Sequence, residues 1–228
     1  MNVLARTPSK LSSILSEHPN LLRVIEGDIH NVSSIKQALV LDDRLVDIFI
    51  SAVGMPLSLK GIKVFSPDPT ICEVGTSNIT SALSEFEAEF EQEPSDLSNT
   101  SVSRTKPKLI ILSTTGISET RDVPLVIVPL YDWGLAIPHK DKKKMEEIVI
   151  NSRWPWVLIR PSFLVDGSAK GLGSVKTGIE TPASTDKAQP AIGYTIRRED
   201  VGLWIFEECV SSSGHWENWT GKCVSLTY

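Results

Sequence analysis

Short apolar runs alternate with amphipathic stretches along this sequence. Met1–Arg6 reads as a strand already running where the sequence starts. Thr7–Lys10 is a turn into a helix, with Thr7 as N-cap and Pro8 in the first helical position, where a missing amide hydrogen is not needed. Leu11, Ile14 and Leu15 are that helix's apolar face. Arg23–Asp28 is a second strand and its exit. A helix over Ser33–Leu41 turns Ile35 and Leu39 inward. Val46–Val53 is a strongly apolar strand ending at Gly54. Met55–Gly75 holds three prolines and no firm period. A long helix is then expected from Thr76 or Ser77, with Ile79, Leu83, Phe86 and Phe90 at helical spacing. Gln92–Lys106 is polar and reads as a surface loop. Leu109–Leu112 is the next buried strand.

The stretch from Tyr131 to Gly167 organises the rest. Pro138 suits a first helical turn, and Asp141 lies near the positive end of the dipole. Met145, Ile148 and Val149 form one apolar face, which leaves Lys142, Lys143, Glu146 and Glu147 mostly on the others. Pro155 stops the helix. Trp156–Ile159 is an apolar run of the kind buried on both sides of a sheet. Arg160-Pro161-Ser162 follows at its carboxyl end, where open parallel sheets place their ligand crevice. Ser168–Tyr194 is Gly/Ala/Thr-rich, without clear structure, and is the expected substrate loop. Glu199–Val210 is a helix with Val201, Ile205 and Phe206 inward, and Lys222–Thr227 is a last strand. About five alternations of strand and helix predict an α/β fold: one domain over 1–228, with a mostly parallel sheet and helices on both faces.

Composition narrows the function. The chain has 228 residues, 41% hydrophobic and 22% charged, with a net charge of −5. No basic face stands out, which argues against nucleic acid as a partner. The cluster Lys140, Lys142, Lys143 and Lys144 reads as a solvated helix face. Cys72, Cys209 and Cys223 form no ligand cluster, so no metal is expected. Their sparse, odd number fits a reducing, cytoplasmic compartment. No run reaches membrane-spanning length.

The order Lys142, Glu146, Trp156, Arg160-Pro161-Ser162 and Asp166-Gly167 resembles the atypical short-chain dehydrogenases/reductases, in their NmrA-like and flavin/biliverdin-reductase-like branch. The resemblance implies a Rossmann-like fold and NADP as cofactor, with NAD less favoured. It implies a small carbonyl or conjugated metabolite as substrate. The family's Tyr-x-x-x-Lys pair is broken, because Pro138 stands where Tyr would precede Lys142. Catalytic candidates under the resemblance are Ser113, Lys142, His139 and Tyr131, the last two as the nearest substitutes for the lost proton donor. Cofactor candidates are Arg6 and Lys10 for an adenosine 2′-phosphate, and Asp28-Ile29 beside the adenine. To these are added Ser51-Ala52-Val53-Gly54 at a strand end and Arg160-Pro161 at the pocket.

Each has a plainer alternative. Arg6 and Lys10 read equally as solvated cations at a helix start, Asp28 as a helix cap, and Ser51–Gly54 as a tight turn. His139 reads as a surface residue and Arg160 as a structural one. The reading requires Arg6 and Lys142 to open onto one hollow. Two further functions share the fold, a non-catalytic NmrA-like regulator and a non-redox isomerase or cyclase.

The glycine-rich turn of dinucleotide-binding folds is missing. Gly171-Leu172-Gly173 lacks the strand-to-helix context that the motif needs. Set against the family, the sequence starts at the second strand, N-terminally truncated by about thirty residues, the size of one βα unit. In the 3-2-1-4-5-6 order the first strand is central. Its absence leaves the strands at Val3 and Ile48 unpaired across roughly 9–10 Å. The sheet then closes up, borrows a strand from a partner such as a second copy in a homodimer, or reflects a gene model that starts late.

Overall fold

In a computed structural model of the protein, the described residues are 1–42, 44–55, 58–60, 63–92, 106–128, 134–182, 184 and 187–228; for 58–60, 63–65 and 89–92 only the backbone is described. The body is a five-stranded sheet of order β11-β13-β9-β8-β5. Its strands are β5 (Ile48–Ser51), β8 (Lys108–Leu112), β9 (Trp156–Pro161), β11 (Lys176–Glu180) and β13 (Lys222–Thr227). All neighbours run parallel except β11, which is antiparallel to β13. Beside it stands a parallel pair, β1 (Asn2–Ala5) with β2 (Arg23–Glu26). Smaller pairs are β3 (Val40–Leu41) with β4 (Arg44–Leu45), β6 (Ser58–Lys60) with β7 (Lys63–Phe65), and β10 (Phe163–Val165) with β12 (Thr195–Arg197).

Alternation along the central strands decides the layering, because successive side chains leave a strand on opposite faces. Leu109, Ile111 and Leu158 join Ile35, Leu39, Ile79, Leu83, Met145 and Val149 in one core. That core lies under α2 (Val32–Leu39), α3 (Ile71–Gln92) and α4 (Ala136–Ile150). Ile110, Val157 and Ile159 join Val201, Trp204, Ile205 and Trp216 in the other. Those residues come from α5 (Arg198–Ile205) and the short α6 (Trp216–Trp219), which follows α1 (Ser12–Glu17) and the others in chain order. The expected parallel sheet covered on both faces is therefore what forms.

Several expectations are corrected. The long helix starts at Ile71, five residues before Thr76, because the Asp141 carboxylate accepts the Cys72 and Glu73 amides at 3.0 and 2.9 Å. An acid 69 residues along the chain thus satisfies orphan donors of the first turn. Lys142 and Glu146 are buried rather than on a solvated face. They share the inward stripe with Met145 and Val149, at i, i+3, i+4 and i+7. Thr7 makes no side-chain cap bond, and no residue of α1 is buried, with Ile14 exposed. Phe206 is also exposed, on a π-helical turn that follows α5. Ser168–Tyr194 is not without structure. It contains β11, an edge of the main sheet, and Gly178 there leaves room for the chain at 189–191: a Cβ would lie 1.9 Å from the Ala191 amide nitrogen. Most of the Gln92–Lys106 loop and the Phe90 side chain lie outside the described residues.

Two sets of contacts fix how the β1–β2 pair stands against the main sheet. At one end, Asn2 donates to the Ala38 and Val40 carbonyls, and the Val46 amide donates to Leu39. The starts of β1 and β5 therefore meet at the end of α2. At the other end, Ile29 after β2 packs on Gly75, so closely that a Cβ there would meet it at 2.6 Å. The Val53 carbonyl after β5 lies 3.7 Å from Cys72 Sγ. Both exits thus meet the first turns of α3. β1 and β5 run the same way, and no described strand joins them.

Candidate functional site

A cavity of about 750 Å³ occupies the opening between β1 and β5. Its body is apolar, with Leu4, Ile35, Leu45, Ile48 and Phe49 among its walls. At the carboxyl ends of the strands its rim holds Arg6, Gly27, Ile29 and Ser51-Ala52-Val53-Gly54. Six of the ten cofactor candidates therefore line one space. Lys10, Asp28, Arg160 and Pro161 do not line it, and neither do Ser113, His139 and Lys142. Arg6 and Lys142 do not share that hollow.

Arg6 is exposed just past β1, and makes no ion pair among the described residues. Lys10 is exposed on the 3-10 turn Pro8–Leu11. Asp28 acts locally, accepting the His30 amide at 2.9 Å. The cap of α2 is Asn31, whose side chain accepts the Ser33 and Ser34 amides. Capping of that helix thus falls to Asn31 rather than Asp28, and an Asn directly before the first apolar residue of a helix, here Val32, is a start signal. The Ile29 carbonyl accepts from Asn78 of α3 at 3.0 Å.

Lys142 ties two strand ends together. Its Nζ donates to the Val53 carbonyl at 2.8 Å and the Leu112 carbonyl at 2.6 Å. Burial holds this ammonium below the usual lysine range, partly offset by Cys72, Asp141 and Glu146. Ser113, next along from Leu112, donates its amide to Ile159. Its hydroxyl is buried and has no hydrogen-bond partner among the described residues. His139 is half-buried in the first turn of α4. Tyr131 lies outside the described residues.

Arg160 is enclosed at the end of β9. Its Nε and Nη2 donate to Glu146 at 2.9 and 2.7 Å, and its Nη1 to Glu180 at 3.0 Å. Burial opposes the guanidinium's charge, but the bonds to Glu146 outweigh it and raise its pKa above the usual value. Ser118 donates to the same Glu180 oxygen. Pro161 offers its carbonyl to the Thr115 amide at 3.2 Å. Nearby Asp122 accepts the Gly116 amide at 2.9 Å, and its other oxygen is buried without a partner among the described residues. Burial pushes its carboxyl above the usual range. Spacing places Glu146 on the Lys142–Met145–Val149 stripe, but its bonding role comes from Arg160, and nothing local marks Glu180 or Asp122.

For a nicotinamide dinucleotide, the residues of the rim fit one end. An arginine just past a strand that does not itself end in an acidic residue suits an adenosine phosphate, and the strand end at Ser51–Gly54, on the cavity rim, suits close approach of backbone to a ligand. A glycine-rich cradle for the diphosphate does not occur in the sequence.

Comparison with known proteins places the chain. Residues 1–210 match the family described as NAD(P)H-binding, and the protein belongs to it. It is 35% identical to the reductase pytE of Aspergillus terreus, over 99% of this chain and 87% of that protein. It is 29% identical to the oxidase pynE of Aspergillus niger, over 98% of this chain and 88% of that one. The fold is shared with a wide-type short-chain dehydrogenase/reductase of Veillonella parvula in complex with NADP, at a TM-score of 0.65 and 13% identity, covering 100% of this chain and 82% of that one. It is shared too with ChuY, an anaerobillin reductase of Escherichia coli O157:H7, at a TM-score of 0.55 and 15% identity, covering 99% of this chain and 82% of that one. The NAD(P)H-binding family thus accounts for residues 1–210, and the fold of the short-chain dehydrogenase/reductase structure extends over the whole chain. Among the described residues, no helix is long and apolar enough to cross a membrane, and no group of His, Cys, Asp and Glu is arranged to hold a metal.

Proposed function

We propose that this protein is an NADP-dependent reductase-like protein of the cytoplasm, acting on a small carbonyl or conjugated metabolite. The observation that carries the reading is the rim of the β1–β5 opening, where Arg6, Ile29 and Ser51–Gly54 meet around one cavity in a chain of the NAD(P)H-binding family. On this reading Arg6 takes the adenosine 2′-phosphate through its guanidinium, and its charge prefers NADP to NAD. The bound cofactor would supply the hydride, while the chain binds and orients. Ser113 offers a buried hydroxyl with spare bonding capacity for a substrate carbonyl. The reductase name of the Aspergillus terreus relative supports the same reading.

Tryptophan fluorescence titrated with NADPH and with NADH tests it. Tighter binding of NADPH is expected, with its absorbance falling when a suitable carbonyl compound is added. A flat titration to millimolar NADPH sinks the reading.

A second reading has its own support. Pro138 stands where the family's tyrosine would precede Lys142, and Lys142 is committed to two backbone carbonyls. Both favour a non-catalytic nucleotide-binding regulator. NADPH binding without turnover over a broad panel of carbonyl compounds would select it.

A further inference from the structure

The carboxyl ends of β8 and β9 gather polar side chains around Arg160. Side chains alternate along a strand, so Leu109, Ile111 and Ser113 share one face of β8, and Leu158 and Arg160 share that face of β9. Leu112 pairs with Ile159, and the Ser113 amide donates to the Ile159 carbonyl. The next step of that register sets Ser113 beside Arg160, on the face covered by α4. The chain then continues along β9, where the Thr115 amide donates to Pro161. The Gly116 amide donates to Asp122 Oδ1 at 2.9 Å. This brings the Asp122 carboxyl under the charges of Arg160 and Glu180. On its own segment, Arg121 turns away to the Val123 carbonyl.

Three carboxyl groups thus crowd one guanidinium. Glu146 takes the Nε and Nη2 donors, and Glu180 takes Nη1. Asp122 is 2% exposed, and its Oδ2 has no partner among the described residues. As a carboxylate, that oxygen is a bare buried charge, which is costly. As a carboxylic acid, it is a buried donor that lacks an acceptor. Burial raises this carboxyl above the usual range against the pull of Arg160, which favours the acid. Ser113 Oγ is a second spare donor at the same arginine, on a residue 7% exposed. An acceptor oxygen from outside the chain is what both lack. With Glu146 and Glu180 ionised, Arg160 is already outnumbered, so an anionic ligand is repelled and a neutral one is not.

Resting on the reductase reading above, we propose that Asp122, with Ser113 beside the same arginine, is the substrate's proton donor in place of the absent tyrosine, and that the oxygen it serves belongs to an uncharged carbonyl compound. In the reduction, the carbonyl carbon gains a hydride from a reduced nicotinamide as the carbon–oxygen π bond opens, and the oxygen takes the Oδ2 proton. Asp122 is left as a carboxylate facing Arg160 and regains its proton from solvent. A catalytic acid works best with its pKa near the working pH, and burial moves Asp122 in that direction.

Carbon-13 NMR of protein labelled at its aspartate carboxyls tests this without nucleotide. The Asp122 signal is the one lost in Asp122→Asn. Its titration midpoint is expected above the ordinary 3.8. Acetone, a neutral ketone, is expected to raise that midpoint by about one pH unit, a tenfold preference for the protonated form. Acetate, its anionic counterpart of similar size, is expected to leave it in place. Ser113→Ala is expected to weaken the acetone effect and to keep the midpoint of the free protein. A midpoint at or below 3.8, no movement with acetone, or equal movement with acetate overturns the proposal. Failure of NADPH to bind would instead retire the reductase reading, and would leave the acetone result untouched.

Discussion

Arg160 and Glu146 meet through two parallel hydrogen bonds of 2.9 and 2.7 Å, with side chains only 6% and 5% exposed. Fourteen residues of chain separate them, and they join the last strand of the site to the helix that carries Lys142. A bidentate pair of this kind holds β9 and α4 in one register.

Breaking that pair is expected to be expensive. Glu146→Ala leaves the guanidinium with Glu180 alone, and should cost about 3–5 kcal/mol in urea unfolding. The double variant Glu146→Leu, Arg160→Met should recover much of the loss, because it removes both buried charges. A single-variant cost under about 1 kcal/mol would show that Glu180 alone suffices.

On the proposed reading, Arg6 distinguishes the two nucleotides. Arg6→Ala would then remove one charge-assisted contact to the 2′-phosphate, about 1.5–3 kcal/mol, or roughly ten- to a hundredfold in affinity. NADPH binding should weaken by that factor, and NADH binding should stay within about twofold. Equal weakening of both would assign Arg6 a role unrelated to the phosphate.

Asp122 makes stability depend on pH. Burial raises its carboxyl in the folded state, so the native protein holds this proton at a pH where the unfolded chain has lost it. The favourable contribution is full below the unfolded pKa and is lost as pH rises through the folded one. The stability of the parent relative to Asp122→Asn should therefore fall with rising pH above about 4, by at most about 1.4 kcal/mol per pH unit. A difference that is flat or rises with pH contradicts this assignment.

The cysteines are expected to be silent in the native state. Burial pushes Cys72, Cys209 and Cys223 each up to about 12. At pH 8 that leaves about one thiolate in ten thousand, and the thiolate is the reacting form. Ellman's reagent should label none of them at appreciable rate until denaturant is added, then all three. Prompt native labelling at any of them would show that its burial is transient.

The strand-and-helix order was legible because it is written locally. Ile35 and Leu39, or Met145 and Val149, repeat at helical spacing, and Leu109–Leu112 alternates between two buried faces. The same stripe carried Lys142 and Glu146, yet their charge made them read as solvent-facing. Their burial depends on partners that spacing does not encode: two strand-end carbonyls for the lysine and a distant arginine for the glutamate. The start of α3 was misplaced for the same reason, since the acid that satisfies its first amides is Asp141, far along the chain.

The sequence by itself determined the layered α/β class, the family resemblance and most of the apolar positions that build the two cores, because burial of periodic side chains is set by neighbours a few residues away. Only the tertiary structure decided which candidates meet. It gathered Arg6, Ile29 and Ser51–Gly54 around one opening, and turned Lys142 and Arg160 inward to bonds of their own. That division follows from the sheet: residues far apart in the chain become neighbours only when strands pair, and between β1 and β5 no described strand pairs at all.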